Sequence, residues 1–381
     1  MQSSNARKLP IAAETSKKAS SIGQSMTSGF AALSVVSNAC NAVQNTVLDI
    51  PKDEAKELAQ LKADLKHAQN IATNWTGGIV DGNTVAGLAP AMMASIPNNV
   101  VSYGTNFNQA TDDILKLIKK NGGTIDKGTE DYRTVLEAIQ SMSGSLDKIT
   151  KDVKAAGSSM KNWGINMQNT HNAMLKGVGD IQNVEKNLHS DIEAMNAAIA
   201  ALHKEIDAEN AEIIAAASAI VLGAGLIIVG VFFMPETDGV SGQLVVVGAV
   251  SIIGGSVECG MLAEKIKKQF KKIGSDQSKL AADKQLIVAL QGLTVASNLV
   301  VASISRATEY LLDLETSWDG FLGNIKNVLK ELHEAENGSA IDFKSLLDID
   351  SAQAGWNEAI KEANELIGLA PKTIKKKVKT L

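Results

Sequence analysis

Residues 213–257 constrain this chain more than any other stretch. Glu212 stands immediately before them and Glu258 immediately after, and between those two acids the only charges are Glu236 and Asp238. These two sit in the turn Pro235-Glu236-Thr237-Asp238-Gly239, which leaves an uncharged stretch on either side, residues 213–234 and 239–257. Each matches the ~20 apolar residues with which a helix crosses a hydrocarbon core of about 30 Å. The turn is too short for anything but an antiparallel hairpin. The second stretch is also rich enough in β-branched residues to be strand-like in one state.

The residues expected to enter a bilayer follow directly. From the first half they are Ile213, Ile214, Ile220, Val221, Leu222, Leu226, Ile227, Ile228, Val229, Val231, Phe232, Phe233 and Met234. From the second they are Leu244, Val245, Val246, Val247, Val250, Ile252, Ile253 and Val257, and Pro235, Glu236, Thr237, Asp238 and Gly239 form the tip. Small residues recur four apart on both halves, Ala215, Ala219 and Gly223 on one and Ser251, Gly255 and Cys259 on the other. Such spacing lets helices approach closely in lipid.

Everything outside this segment is polar enough to be soluble. Proline, which breaks helix interiors, is absent from 98–234 and from 236–370, two runs of nearly equal length about Pro235. That is the pattern of two long helical arms folded at one point. The first arm, about 130–212, carries Leu146, Ile149, Val153, Ala156, Met160, Trp163, Met167, Thr170, Met174 and Gly177 at alternating steps of three and four. Gly177 and Gly179 mark its expected kink. The returning arm carries Ile304, Leu311, Trp318, Phe321, Ile325 and Leu332 and ends at Asn337-Gly338. If the arms fold as helices about 236–237, Glu209 faces Lys265, Asp207 faces Lys267 and Glu205 faces Lys268.

Shorter helices are expected before the arms and after them. Met26, Gly29, Leu33, Val36, Cys40 and Val43 line one; Leu61, Leu65 and Ala68 line the next; a third covers 104–120 and stops at Asn121-Gly122-Gly123. Between the second and third, 74–99 reads as loop with short helical pieces. A last helix covers 351–369, with Trp356, Ile360 and Leu366 on one face. No strand is required outside the apolar segment.

The parts divide as a flexible N-terminus (1–20), bundle helices and first arm (21–205), a hydrophobic head (206–265), the returning arm and last helix (266–370) and a basic tail (371–381). The expected fold is all-α, an elongated five-helix tail bundle with a hydrophobic head subdomain, helical or β-tongue-like.

Composition excludes several functions. A formal net charge of −5 gives no electrostatic case for nucleic acid. An aromatic content of 4% argues against large stacked cores. The five histidines, His67, His171, His189, His203 and His333, show no metal-ligand spacing. Glycines 223, 225 and 230 miss the dinucleotide and phosphate-loop patterns. No catalytic constellation or cofactor is expected. Cys40 and Cys259 are read as free thiols, being too few for a disulfide scaffold. The N-terminus has no apolar stretch of signal-peptide type.

Three readings of the hairpin stand at this point. It is the core of a soluble bundle, a permanent two-span membrane anchor, or a concealed element that inserts later. Apolar segments beside coiled coils also suit a secretion-system translocator.

The plan of long proline-free arms around a central apolar hairpin resembles the α-helical pore-forming toxins of the cytolysin A (ClyA) superfamily. That group includes haemolysin BL, the non-haemolytic enterotoxins and the tripartite haemolysins. With two uncharged stretches each long enough to span, the chain is similar to the B component of the tripartite systems. The resemblance implies a secreted subunit with no enzyme activity. It implies homo-oligomerisation in a target-cell bilayer with A and C partner components, the A component supplying a hydrophilic lining that this uncharged hairpin cannot.

Overall fold

The computed structural model describes residues 12–44, 56–184, 201, 226–235, 244–253 and 282–369. Along the chain these form α1 (Ala12–Gln44), α2 (Lys56–Thr76), β1 (Gly78–Val80), β2 (Asn83–Val85), α3 (Leu88–Lys120), β3 (Ile125–Asp126) and α4 (Glu130–Val184). There follow β4 (Leu226–Pro235), β5 (Leu244–Ile253), α5 (Ala282–Glu334), β6 (Ala340–Ile341), α6 (Phe343–Leu347) and α7 (Ile349–Leu369).

The 55-residue α4 shows how sequence sets the long helices. Thr129 caps its start, accepting at Oγ1 from Tyr132 N at 3.1 Å, and Glu130 and Asp131 place negative charge in the first turn. Its apolar stripe then faces inward: Leu146, Val153, Met160, Trp163, Met167, Thr170 and Met174 are buried, while Ile149 and Ala156 of the expected stripe are only partly covered. Gly177 lies within the unbroken helix, where a Cβ would meet Leu61 Cδ1 at 3.3 Å. Its role there is close helix packing.

The chain divides into two compact units. The first combines α1 up to Thr27 with Ala94–Gly157 and Tyr310–Gly368. Five long helices, α1, α3, α4, α5 and α7, contribute to it, with short α6. Its core is a ring cluster: Tyr103 and Phe107 of α3, Trp318 and Phe321 of α5, and Trp356 of α7. Tyr103 and Trp356 stand 5.1 Å apart between centroids, and Trp318 meets Tyr103 edge-on at 5.9 Å. Phe321 meets Trp356 edge-on at 5.3 Å. Such pairs are worth about 0.5–1.5 kcal/mol beyond area burial. The low aromatic content therefore misleads about the core, because five of the fourteen rings gather in one place.

One end of this unit is tied by two loops. β3 pairs antiparallel with β6, Ile125 opposite Ile341 and Asp126 opposite Ala340. Lys127 Nζ donates to His333 O at 2.9 Å and Ala335 O at 2.6 Å, capping the carboxyl end of α5. Tyr132 Oη adds a bond to Leu332 O at 2.7 Å. α3 stops as expected at 121–123, with Gly123 N donating to Ile118 O at 3.0 Å.

The second unit combines the described residues of Ser28–Met93 and Ser158–Glu309 with Leu369. Here Phe30, Leu33, Val36, Cys40 and Val43 of α1 are buried, as are Leu61, Leu65, Ala68 and Trp75 of α2. Trp75 packs on Trp163 of α4 at 4.4 Å between centroids. Both indoles are satisfied, Trp75 Nε1 by Ser37 Oγ at 3.0 Å and Trp163 Nε1 by Ile71 O at 2.9 Å.

Two expectations need correction here. The 74–99 stretch is not loop with helical pieces: α2 runs to Thr76, a hairpin follows, and α3 begins at Leu88 rather than near 104. The hairpin turns on Asp81 and Gly82, both with positive φ (48° and 81°), the type I′ geometry that Asp-Gly favours. Its base closes so tightly that a Cβ on Gly87 would sit 2.3 Å from Gly77 N. Pro97 lies inside α3. The packing of Met92, Met93, Ile96 and Val100, all buried, outweighs the lost backbone bond. Pro90 needs no such offset, since first-turn N–H groups have no intrahelical partner. Finally, strands exist outside the apolar segment, as the β1–β2 and β3–β6 pairs.

Candidate functional site

The apolar segment contains the two longest strands among the described residues. β4 and β5, ten residues each, pair antiparallel from Leu226 opposite Ile253 to Pro235 opposite Leu244. Ile227, Ile228, Val229 and Val231 in one strand, and Val245, Val246, Val247, Val250, Ile252 and Ile253 in the other, account for the extended backbone. β-Branched side chains lose rotamer freedom in helices and fit a pleated surface. At about 3.3 Å per residue each strand spans about 33 Å.

Small residues meet at the middle of the ladder, where Gly230 lies opposite Ala249 and Val231 opposite Gly248. Pro235 closes the pairing at the end of β4. A proline is tolerated there because the ladder needs no donor beyond it. Neither strand carries a charge, and the period of two sorts them into two sets that are both apolar. Among the described residues the sheet has two strands, and a lone two-stranded hairpin is marginal in water. Such a hairpin needs cover from elsewhere.

The sequence-predicted residues fall as follows. Leu226, Ile227, Ile228, Val229, Val231, Phe232, Phe233 and Met234 lie in β4, with Pro235 as its last residue. Leu244, Val245, Val246, Val247, Val250, Ile252 and Ile253 lie in β5. Ile213, Ile214, Ile220, Val221, Leu222, Val257 and the tip residues Glu236, Thr237, Asp238 and Gly239 lie outside the described residues. So do Cys259 and the arm pairs Glu209–Lys265, Asp207–Lys267 and Glu205–Lys268.

Two features of the hairpin differ from the sequence expectation. Pro235 belongs to the ladder rather than to the turn, and the pairing centres between residues 239 and 240 rather than at 236–237. Among the described residues no helix is long and apolar enough to cross a membrane. The apolar residues that are described, β4 and β5, are strands here.

No group of three or more His, Cys, Asp or Glu gathers as metal ligands would among the described residues. Cys40 is a buried free thiol, and burial pushes its pKa well up. His171 is buried in α4 and His333 sits at the exposed end of α5.

No family model matches the chain, and no curated protein matches it by sequence. Solved structures do match. Motility Associated Killing Factor B from Vibrio cholerae superposes with a TM-score of 0.67 at 12% identity, covering 94% of each chain. Soluble SmhA of the tripartite alpha-pore forming toxin Smh from Serratia marcescens gives 0.66 at 12%, covering 92% of this chain and 94% of that one. Soluble SmhB of the same toxin gives 0.64 at 14%, covering 92% of both. Over nearly its whole length, this chain has the fold of soluble components of tripartite alpha-pore forming toxins.

Proposed function

We propose that the chain is a subunit of a pore-forming toxin acting outside the cell that makes it, and that residues 206–265 form its membrane-active head. The observation that carries this reading is the paired, charge-free β4–β5 hairpin on a helical scaffold of toxin-component fold. At mid-bilayer each Leu, Ile, Val or Phe contributes about −0.3 to −0.6 kcal/mol, whereas an Asp costs about 2.5–3.5 kcal/mol. A segment whose only charges are Glu236 and Asp238 concentrates that cost at one leading turn. On release, strands of about 33 Å convert to helices: 22 residues at ~1.5 Å each also reach about 33 Å.

SmhA and SmhB fit the backbone about equally well, so the component assignment rests on sequence. Residues 213–234 carry no polar stripe, and a ring lined by them alone would have an apolar lumen. That supports a B-type role: this chain inserts and oligomerises, and a partner of A type lines the pore, with a C-type partner completing the assembly. No chemical step belongs to this mechanism; it is binding, refolding and assembly.

Release of an entrapped dye from liposomes tests the proposal. The purified chain should release little dye alone and much more with A- and C-type partners encoded beside it. Absence of release under every combination would refute it.

A further inference from the structure

The first half of α1 is held by small and hydroxylated residues. Ser21 Oγ lies 2.8 Å from Ser317 Oγ of α5. Against α7 the contact is closer. A Cβ built on Gly23 would sit 2.6 Å from Glu362 Oε2 and 3.3 Å from Ala359 Cα, so the Glu362 carboxyl lies directly over the glycine. Thr27 Oγ1 stands 3.5 Å from that same oxygen and 3.1 Å from Gly23 O. A hydroxyl has a single hydrogen, and the shorter bond, to Gly23 O, takes it. An ionised Glu362 is then a half-buried acceptor with no good donor among the described residues.

Nor does charge compensate. Residues 19–27 of α1 are uncharged, and α1 meets the carboxyl with Gly23 and Thr27. Among the described residues the charges acting on Glu362 come from α7: Glu358 and Glu365 repel its ionised form, and Lys361 favours it. Burial is the largest influence, and with Glu358 it raises the pKa despite Thr27.

We propose that Glu362 is a proton-operated clasp between α1 and α7. Protonated, its O–H donates to Thr27 Oγ1, which passes its own hydrogen to Gly23 O, and a continuous chain Glu362–Thr27–Gly23 joins the helices. Ionised, Glu362 loses its donor role and leaves a poorly solvated charge against α1. The sign follows from linkage. A carboxyl whose folded pKa is raised keeps more protons in the folded state. The contact is therefore tightest below the ordinary glutamate range and loosens as pH rises through the folded value.

Amide hydrogen exchange of the full chain, corrected for the intrinsic pH dependence of exchange, tests this on peptides covering 19–27 between pH 4.5 and 8. The wild type should lose protection in this segment as pH rises. Glu362→Gln, a permanent neutral donor, should hold the acid level of protection throughout. Thr27→Val should lose the acid-induced gain while matching the wild type at pH 8. A flat wild-type profile would overturn the clasp. So would a Glu362→Gln profile that follows the wild type or falls below it at pH 8, or a Thr27→Val variant that keeps the acid gain.

Discussion

Lys127 does more than its place in a loop suggests. Its ammonium donates to two carbonyls at the end of the 53-residue α5, His333 O and Ala335 O, where the helix dipole is negative and carbonyls lack intrahelical partners. Lys127→Met should cost about 1–2 kcal/mol of stability, read as a lower urea midpoint with an unchanged slope. An unchanged midpoint would mean that water satisfies those carbonyls equally well. Cys40 offers a test by pH. Burial raises its thiol pKa, and the thiolate is the reactive form. In a Cys259→Ser background at pH 8, alkylation of the folded chain should be far slower than that of the urea-unfolded chain. Equal rates would contradict the buried placement. The place of Cys40 on the apolar face of α1 was legible in the sequence; the role of Lys127 was not. The Lys127 contacts bridge 206 and 208 positions, and nothing local announces them.

At the scale of elements, legibility followed periodicity. The apolar stripe of α4 emerged buried where the sequence placed it, because a 3–4 alternation sustained over many turns has one consistent solution. The ends of α1, α3 and α5 were marked less evenly. Asn121-Gly122-Gly123 stopped α3 as expected, but its start was masked by Pro90 and Pro97, one harmless in the first turn and one overridden by packing. Trp75 was read as loop for a different reason: its partner, Trp163, is 88 positions away in sequence. The apolar hairpin shows a different limit. A charge-free run rich in Val and Ile fits helix or strand, and hydrophobicity alone does not choose between them. The ladder makes the choice testable. Val229 and Val250 are directly opposed, at the 4.5–5.5 Å Cα separation of antiparallel pairs, which suits a disulfide. Val229→Cys with Val250→Cys, once oxidised, should abolish dye release by locking the strand pairing, and reductant should restore it. Release that survives the lock would show that the strands need not separate.

At the scale of the whole molecule, the organisation carried the reading further than any motif. Two proline-poor arms and one central hairpin pointed to a helical scaffold with an apolar head, and solved toxin components share that fold at 12–14% identity. Identity that low leaves the chain's own chemistry to decide its role, and the decisive chemistry is the absence of charge from 213 to 235. The claim that this hairpin enters lipid is measured most directly by an environment-sensitive fluorophore placed singly along 226–253, with liposomes and partner components. The account predicts a blue shift and protection from aqueous quenchers for positions in β4 and β5, while a probe on the exposed Asn106 of α3 stays accessible. Hairpin probes that remain quenchable from water while dye is being released would contradict it.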